Sequence, residues 1–155
     1  MKIAVVQSLP EFDVSADPLA LIQGNLSVIH QLLLDELCPQ DNTAAGSVGV
    51  NLIVAPEMAA TGYCFSSREQ VLPFARLHSL SIDWALAVAK EFNAFVQIGF
   101  PRLDDDSLYN STVMAFPNGS QFVYDKHFLY CQDEHWATPG ESFKVTELPD
   151  PLSCK

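Results

Sequence analysis

Short runs of consecutive apolar residues alternate along this chain with a stretch in which they recur every three or four positions. Ile3 to Val6 is the first run, rich in β-branched residues and followed by Pro10, and it reads as a buried strand. After a polar break at Asp13 to Pro18, residues Leu19, Ile22, Leu26, Ile29, Leu33 and Leu37 fall at helical spacing, which predicts an amphipathic helix over 19–37 stopped by Pro39. Gln40 to Gly49 is polar and reads as a loop, and residues 51–55 form a second buried strand cut off by Pro56. Glu57 to Gln70 reads as irregular. Ser81 is the expected cap of a second helix running to Asn93, with Trp84, Leu86, Val88 and Phe92 on its apolar side. Residues 95–100 form a third strand closed by Pro101, and Asp104-Asp105-Asp106 is a turn. Residues 108–116 and 121–125 then flank Pro117-Asn118-Gly119-Ser120, a hairpin signal because Asn and Gly accept positive φ. From Thr146 to Lys155 there is no periodicity, and the segment reads as an unfinished connection.

Strand, helix, strand, helix, strand, hairpin is the order expected of an α/β fold with parallel strands inside. The expectation is one sheet with both helices on one face and an apolar, uncovered opposite face and edge. Such surfaces associate, so a homo-oligomer is among the expected states.

Composition removes several classes of function. The chain has 155 residues, one domain's worth, and at 48% hydrophobic it can bury a core. Its formal charge of −11 argues against nucleic acid, and it lacks the Lys/Arg clusters that hold a protein on anionic lipid. No run is long enough to span a bilayer, and the apolar run after Met1 is too short for a signal peptide, so a cytoplasmic location is expected. Cys38, Cys64, Cys131 and Cys154 show neither CxxC nor zinc-ligand spacing, and read as reduced thiols; no metal is expected.

Three positions carry candidate chemistry. Glu57 follows the strand Leu52-Ile53-Val54-Ala55-Pro56, at the end of a parallel strand where active sites collect. Burial there would raise its pKa and make it a general base, although on pattern alone a solvated loop glutamate is the commoner case. Lys126 stands between the apolar runs Phe122-Val123-Tyr124 and Phe128-Leu129-Tyr130, where its ammonium could stabilise an oxyanion or simply reach solvent from a strand edge. Glu134, in Asp133-Glu134-His135-Trp136, is a third acid that pattern alone would leave in a loop.

Taken in order, these blocks resemble the nitrilase, or carbon–nitrogen hydrolase, superfamily. The matching blocks are residues 2–7, Leu52 to Glu57 with Thr61-Gly62-Tyr63, Gly99-Phe100-Pro101, Leu108-Tyr109-Asn110-Ser111, Asn118-Gly119, and Tyr124 to Leu129. The resemblance implies the N-terminal part of a four-layer α-β-β-α sandwich. It also implies hydrolysis of an amide by a cysteine thiolate through a thioester, with no cofactor. Glu57 would be the general base, Lys126 the stabiliser of the tetrahedral intermediate, and Glu134 the second glutamate that orients substrate and lysine. The family's nucleophilic Cys lies on a turn several tens of residues beyond the lysine. Residues 1–155 are therefore expected to be a partial domain lacking the C-terminal half, with Cys131 and Cys154 bland thiols and the fragment inactive alone.

Within the superfamily, the block from Lys126 to Tyr130 with Asp133 to Trp136 looks most like fungal protein N-terminal amidases, which deamidate N-terminal Asn or Gln and so create a degradation signal. Asp133 would then be the acid that meets the substrate's free α-ammonium. Two competitors stand beside this reading: a non-catalytic fragment or partner-binding half-domain, and a small-molecule amidase of the same superfamily, such as a ureido-acid or ω-amide hydrolase.

Overall fold

The computed structural model describes residues 1–38, 45 and 48–145. The loop expected over 40–49 falls mostly outside these residues, and the segment from Thr146 onward, with Cys154, falls wholly outside them.

Among the described residues, eight strands and α-helices follow one another: β1 (Ile3–Val5), α1 (Pro18–Leu37), β2 (Leu52–Val54), α2 (Arg68–Ala75), α3 (Ser79–Phe92), β3 (Phe95–Asp104), β4 (Ser107–Ala115) and β5 (Gln121–Asp125), with a 3₁₀ turn at Cys131–His135 after them. The strands form one sheet in sequence order, β1-β2-β3-β4-β5. β1, β2 and β3 run parallel, while β3–β4 and β4–β5 are antiparallel hairpins. Two successive parallel crossovers that step the same way across a sheet, both right-handed, must put their helices on the same face. α1 crosses from β1 to β2, α2 and α3 cross from β2 to β3, and the three helices pack together over one side. Beneath them Ile53, Val96, Ile98 and Val113 are fully buried against Ile22 and Ile29 of α1 and Val88 and Phe92 of α3.

The opposite face is sparsely covered. Phe95 and Phe116 meet edge to face there, 5.2 Å apart, with Leu52, Met114 and Phe122 around them. Ile3 and Val5, on the edge strand β1, remain 46% and 68% exposed.

The strands β1, β2 and β4 differ from the sequence reading by a residue at one end or both, and four other departures have a local reason. α1 begins at Pro18, whose missing N–H is harmless in the first turn, and Asp17 caps it by accepting from the Ala20 N–H at 3.2 Å. α2 was not anticipated: Pro73 lies inside it, and its eight residues are too few to show a period. α3 starts at Ser79, so Ser81 is a buried helical residue and not a cap, while Asn93 ends the helix in the left-handed conformation (φ 49°). β3 runs through Pro101 to Asp104. Pro101 pairs with Asn110, whose carbonyl points to the β5 side at the Lys126 N–H. The Pro101 nitrogen therefore faces away from β4, towards β2, which has already ended at Val54 opposite Gln97. No ladder bond is lost there, which is where a strand tolerates proline.

Candidate active site

Past the C-terminal end of β2 the chain turns sharply at Pro56-Glu57-Met58 and lies directly over β3. Gly99 makes this possible: a Cβ there would stand 2.7 Å from the Met58 nitrogen and 2.8 Å from the Glu57 Cα. The Gly99 N–H donates to the Pro56 carbonyl at 3.3 Å. Met58 pays for the turn with a left-handed backbone (φ 52°), held by a side chain only 1% exposed in the core. From behind, the buried Asn25 of α1 donates to the Ala60 carbonyl at 3.2 Å and exchanges hydrogen bonds with the Glu11 backbone.

Lys126 follows β5 immediately. Its N–H donates to the Asn110 carbonyl at 2.8 Å, and its carbonyl accepts from Gly140 at 2.9 Å, so the backbone under the ammonium is fixed from both sides. Asp125, just before it, is clamped by Arg102 at 2.9 and 3.1 Å and by the Ser111 hydroxyl at 2.6 Å.

The third charged group arrives on a 3₁₀ turn, Cys131–His135, entered through a left-handed Cys131 (φ 55°). In a 3₁₀ turn residues i and i+3 share a face. Trp136 is buried against Phe65, ring centroids 6.2 Å apart, which turns Asp133 inward and leaves Glu134 exposed.

These elements bring together Glu57, Lys126 and Asp133. Lys126 Nζ donates to Glu57 Oε1 at 2.9 Å and to Asp133 Oδ2 at 2.6 Å. The Asn110 amide donates to Glu57 Oε1 at 2.7 Å and to the two Asp133 oxygens at 3.2 and 3.3 Å. The Tyr63 hydroxyl donates to the other Glu57 oxygen at 3.0 Å. Asp133 is 2% exposed at its side chain, Lys126 27% and Glu57 42%, so the cluster is rooted inside and opens at Glu57. It edges a cleft of about 330 Å³ on the uncovered face of the sheet, lined also by Gln97, Thr112 and Tyr124. No cysteine lines that cleft among the described residues, and Cys131 is exposed.

Of the residues picked from the sequence, Glu57, Lys126 and Asp133 meet, and Glu134 stands outside. The two acids lie differently from the expectation. Asp133, proposed to meet a substrate ammonium, is already buried against Lys126, and no partner is seen for Glu134 in the cluster. The three-residue spacing of Asp133 and Trp136 was the available signal. Asn110 and Tyr63 were quoted only as parts of matching blocks; nothing in their own pattern marks a strand asparagine or a loop tyrosine.

The expectation of a raised Glu57 pKa also changes sign. Burial pushes the carboxyl up, but hydrogen bonds from Lys126, Asn110 and Tyr63, with the lysine's charge, outweigh it and leave Glu57 below its ordinary value. Desolvation works against the Lys126 charge, yet bonding to Asp133 and Glu57 holds its pKa above the ordinary value. Burial and the neighbouring Glu57 charge raise Tyr63. In the resting cluster Glu57 and Lys126 therefore face each other as an ion pair.

This chain belongs to the carbon–nitrogen hydrolase family, whose sequence profile matches residues 2–150. It is 35% identical over 152 residues to the protein N-terminal amidase of Schizosaccharomyces pombe, covering 92% of this chain and 48% of that protein. It is 36% identical over 97 residues to the protein N-terminal amidase of Saccharomyces cerevisiae, covering 60% of this chain and 21% of that one. A crystal structure of an N-terminal amidase superposes with a TM-score of 0.70 at 29% identity, over 86% of this chain and 29% of that one. The sheet and helices are thus the N-terminal portion of a nitrilase-type α-β-β-α sandwich. The chain spans less than half the length of these relatives.

Proposed function

We propose that this chain carries the acid–base half of an amide-hydrolysing site, with Glu57 as general base and Lys126 as the cation that receives the oxyanion. The observation that carries the reading is the Glu57–Lys126–Asp133 cluster at the edge of a cleft, on a backbone that approaches β3 closely enough to require Gly99. A thiol presented to Glu57 Oε2, the oxygen that faces Tyr63 and not the lysine, would lose its proton to the carboxylate. The thiolate attacks the amide carbon, and the carbonyl oxygen becomes an oxyanion beside Lys126. As that negative charge grows, Lys126 shifts its bonding from Glu57 towards it. Glu57 loses its strongest stabilising partner and becomes a better base, so the low resting pKa is relieved during the reaction. The protonated Glu57 then gives its proton to the leaving amine or ammonia, and water attacks the thioester with Glu57 again as base. In this reading the thiol comes from the part of the family fold that the chain does not span.

The substrate class we favour is the side-chain amide of an N-terminal Asn or Gln. Both yeast relatives are N-terminal amidases, and solved N-terminal amidases hold Gln-Gly and Asn-Glu-Ala peptides. The test compares ammonia release from an Asn-peptide and its N-acetylated twin by the whole protein. Preference for the free amine is expected. Equal hydrolysis of both would replace the N-terminal reading with a general amidase. Residues 1–155 alone should release no ammonia, because no thiol lines the cleft among the described residues.

A further inference from the structure

Asn110 is 3% exposed and hydrogen-bonds with all three residues of the cluster, to the carboxylates of two and the backbone of the third. Its backbone carbonyl accepts from the Lys126 N–H at 2.8 Å. Its side-chain nitrogen lies 2.7 Å from Glu57 Oε1 and 3.2 Å from Asp133 Oδ1. Both neighbours of that nitrogen are carboxylate oxygens, so the opposite amide orientation would set an oxygen lone pair against two anions; the donor side must face them. One NH₂ group has one hydrogen for each carboxylate.

The cluster needs such a group. Two carboxylates share one ammonium, and like charges this close repel unless further donors separate them. Lys126 supplies one donor to each, Tyr63 caps the outer oxygen of Glu57, and Asn110 supplies the remaining bridge. We infer that Asn110 is a positioning residue of the site: it bridges Glu57 to the buried Asp133 and keeps Glu57 aimed at the cleft. The inference rests on the amide-hydrolase reading only for what Glu57 does there, since the bridge itself is observable without turnover.

The groups that face Glu57 are Lys126 from the end of β5, Tyr63 from the segment after β2, Asn110 from β4 and, through the last, Asp133 from the 3₁₀ turn. Replacing Asn110 by leucine keeps nearly the same volume and removes both donors. The carboxylate form of Glu57 then loses a stabilising bond, and its titration moves up.

The experiment is an NMR titration of the 155-residue chain, following the Glu57 side-chain carboxyl carbon and the Asn110 side-chain amide. In the unsubstituted chain the Asn110 NH₂ signals should move with the Glu57 midpoint. In Asn110→Leu that midpoint should rise. Asn110 amide signals indifferent to the Glu57 titration would overturn the inference without any variant having to fold. So would a folded Asn110→Leu chain whose Glu57 midpoint is unchanged. Failure of the whole protein to hydrolyse amides would instead sink the proposed function and leave the bridge intact. If both hold, the acid limb of the kcat/KM profile in Asn110→Leu should shift upward, which a merely structural substitution would not produce.

Discussion

Lys126 is the residue on which the site's energetics turn. From the sequence alone, replacing it by methionine looks harmless to stability, because a partly buried charge disappears. The structure reverses that: the side chain lies between two carboxylates, one of them buried, so Lys126→Met strands Asp133 without its cation. Breaking a buried pair from one side costs about 3–5 kcal/mol. Thermal or urea unfolding should therefore show Lys126→Met strongly destabilised, with Asp133→Asn in the same chain recovering much of the loss. The same charges set a pH window. Glu57 is depressed from its ordinary 4.5, so its contribution is fully present above that value and is lost as pH falls through the lower folded pKa. Lys126 is raised from its ordinary 10.5, so its contribution is complete below that value and is lost only as pH rises through the higher folded pKa. The stability contributed by these two groups should be flat between these limits, and Glu57→Gln should flatten the acid limb of the unfolding curve.

Among the elements, the crossover from β2 onto β3 matters most. Gly99→Ala would drive a Cβ into backbone atoms of Glu57 and Met58, with 2.7 Å as the nearest approach and no flexible side chain to yield. A loss of about 1–3 kcal/mol in stability is expected, as for other overpacked sites, with Glu57 displaced from Lys126. Retained stability together with an unchanged Glu57 titration in Gly99→Ala would show that the turn can shift freely. This crossover also marks the limit of what the sequence discloses. β1, β2, α1 and the β4–β5 hairpin were legible because each is a run or period bounded by Pro, Gly or Asn, whereas the β3–β4 hairpin was hidden by Pro101 inside its first strand. The segment after Glu57 was not, because its order is imposed from outside: Met58 and Phe65 are buried by contact with distant elements, and α2 contains a proline. The inward face of the 3₁₀ turn depends likewise on Trp136 finding Phe65, a contact across 71 positions of sequence that no local pattern encodes.

At the scale of the molecule, the helices seal one face of the sheet and the charged cluster stands on the other, beside a cleft in the sparsely covered side. In an α-β-β-α sandwich that is the side on which a second sheet packs, and the proposed mechanism needs a thiol delivered there. The proposed chemistry centres on one atom pair, Glu57 Oε1 and Lys126 Nζ, 2.9 Å apart. The decisive measurement is ammonia release from a peptide with N-terminal Asn by the whole protein, wild type against Glu57→Gln, with circular dichroism confirming the fold of both. Glutamine keeps the shape of the side chain but accepts no proton, so kcat/KM should fall by about 10²–10⁴-fold or more. Turnover by Glu57→Gln close to wild type would contradict the catalytic assignment.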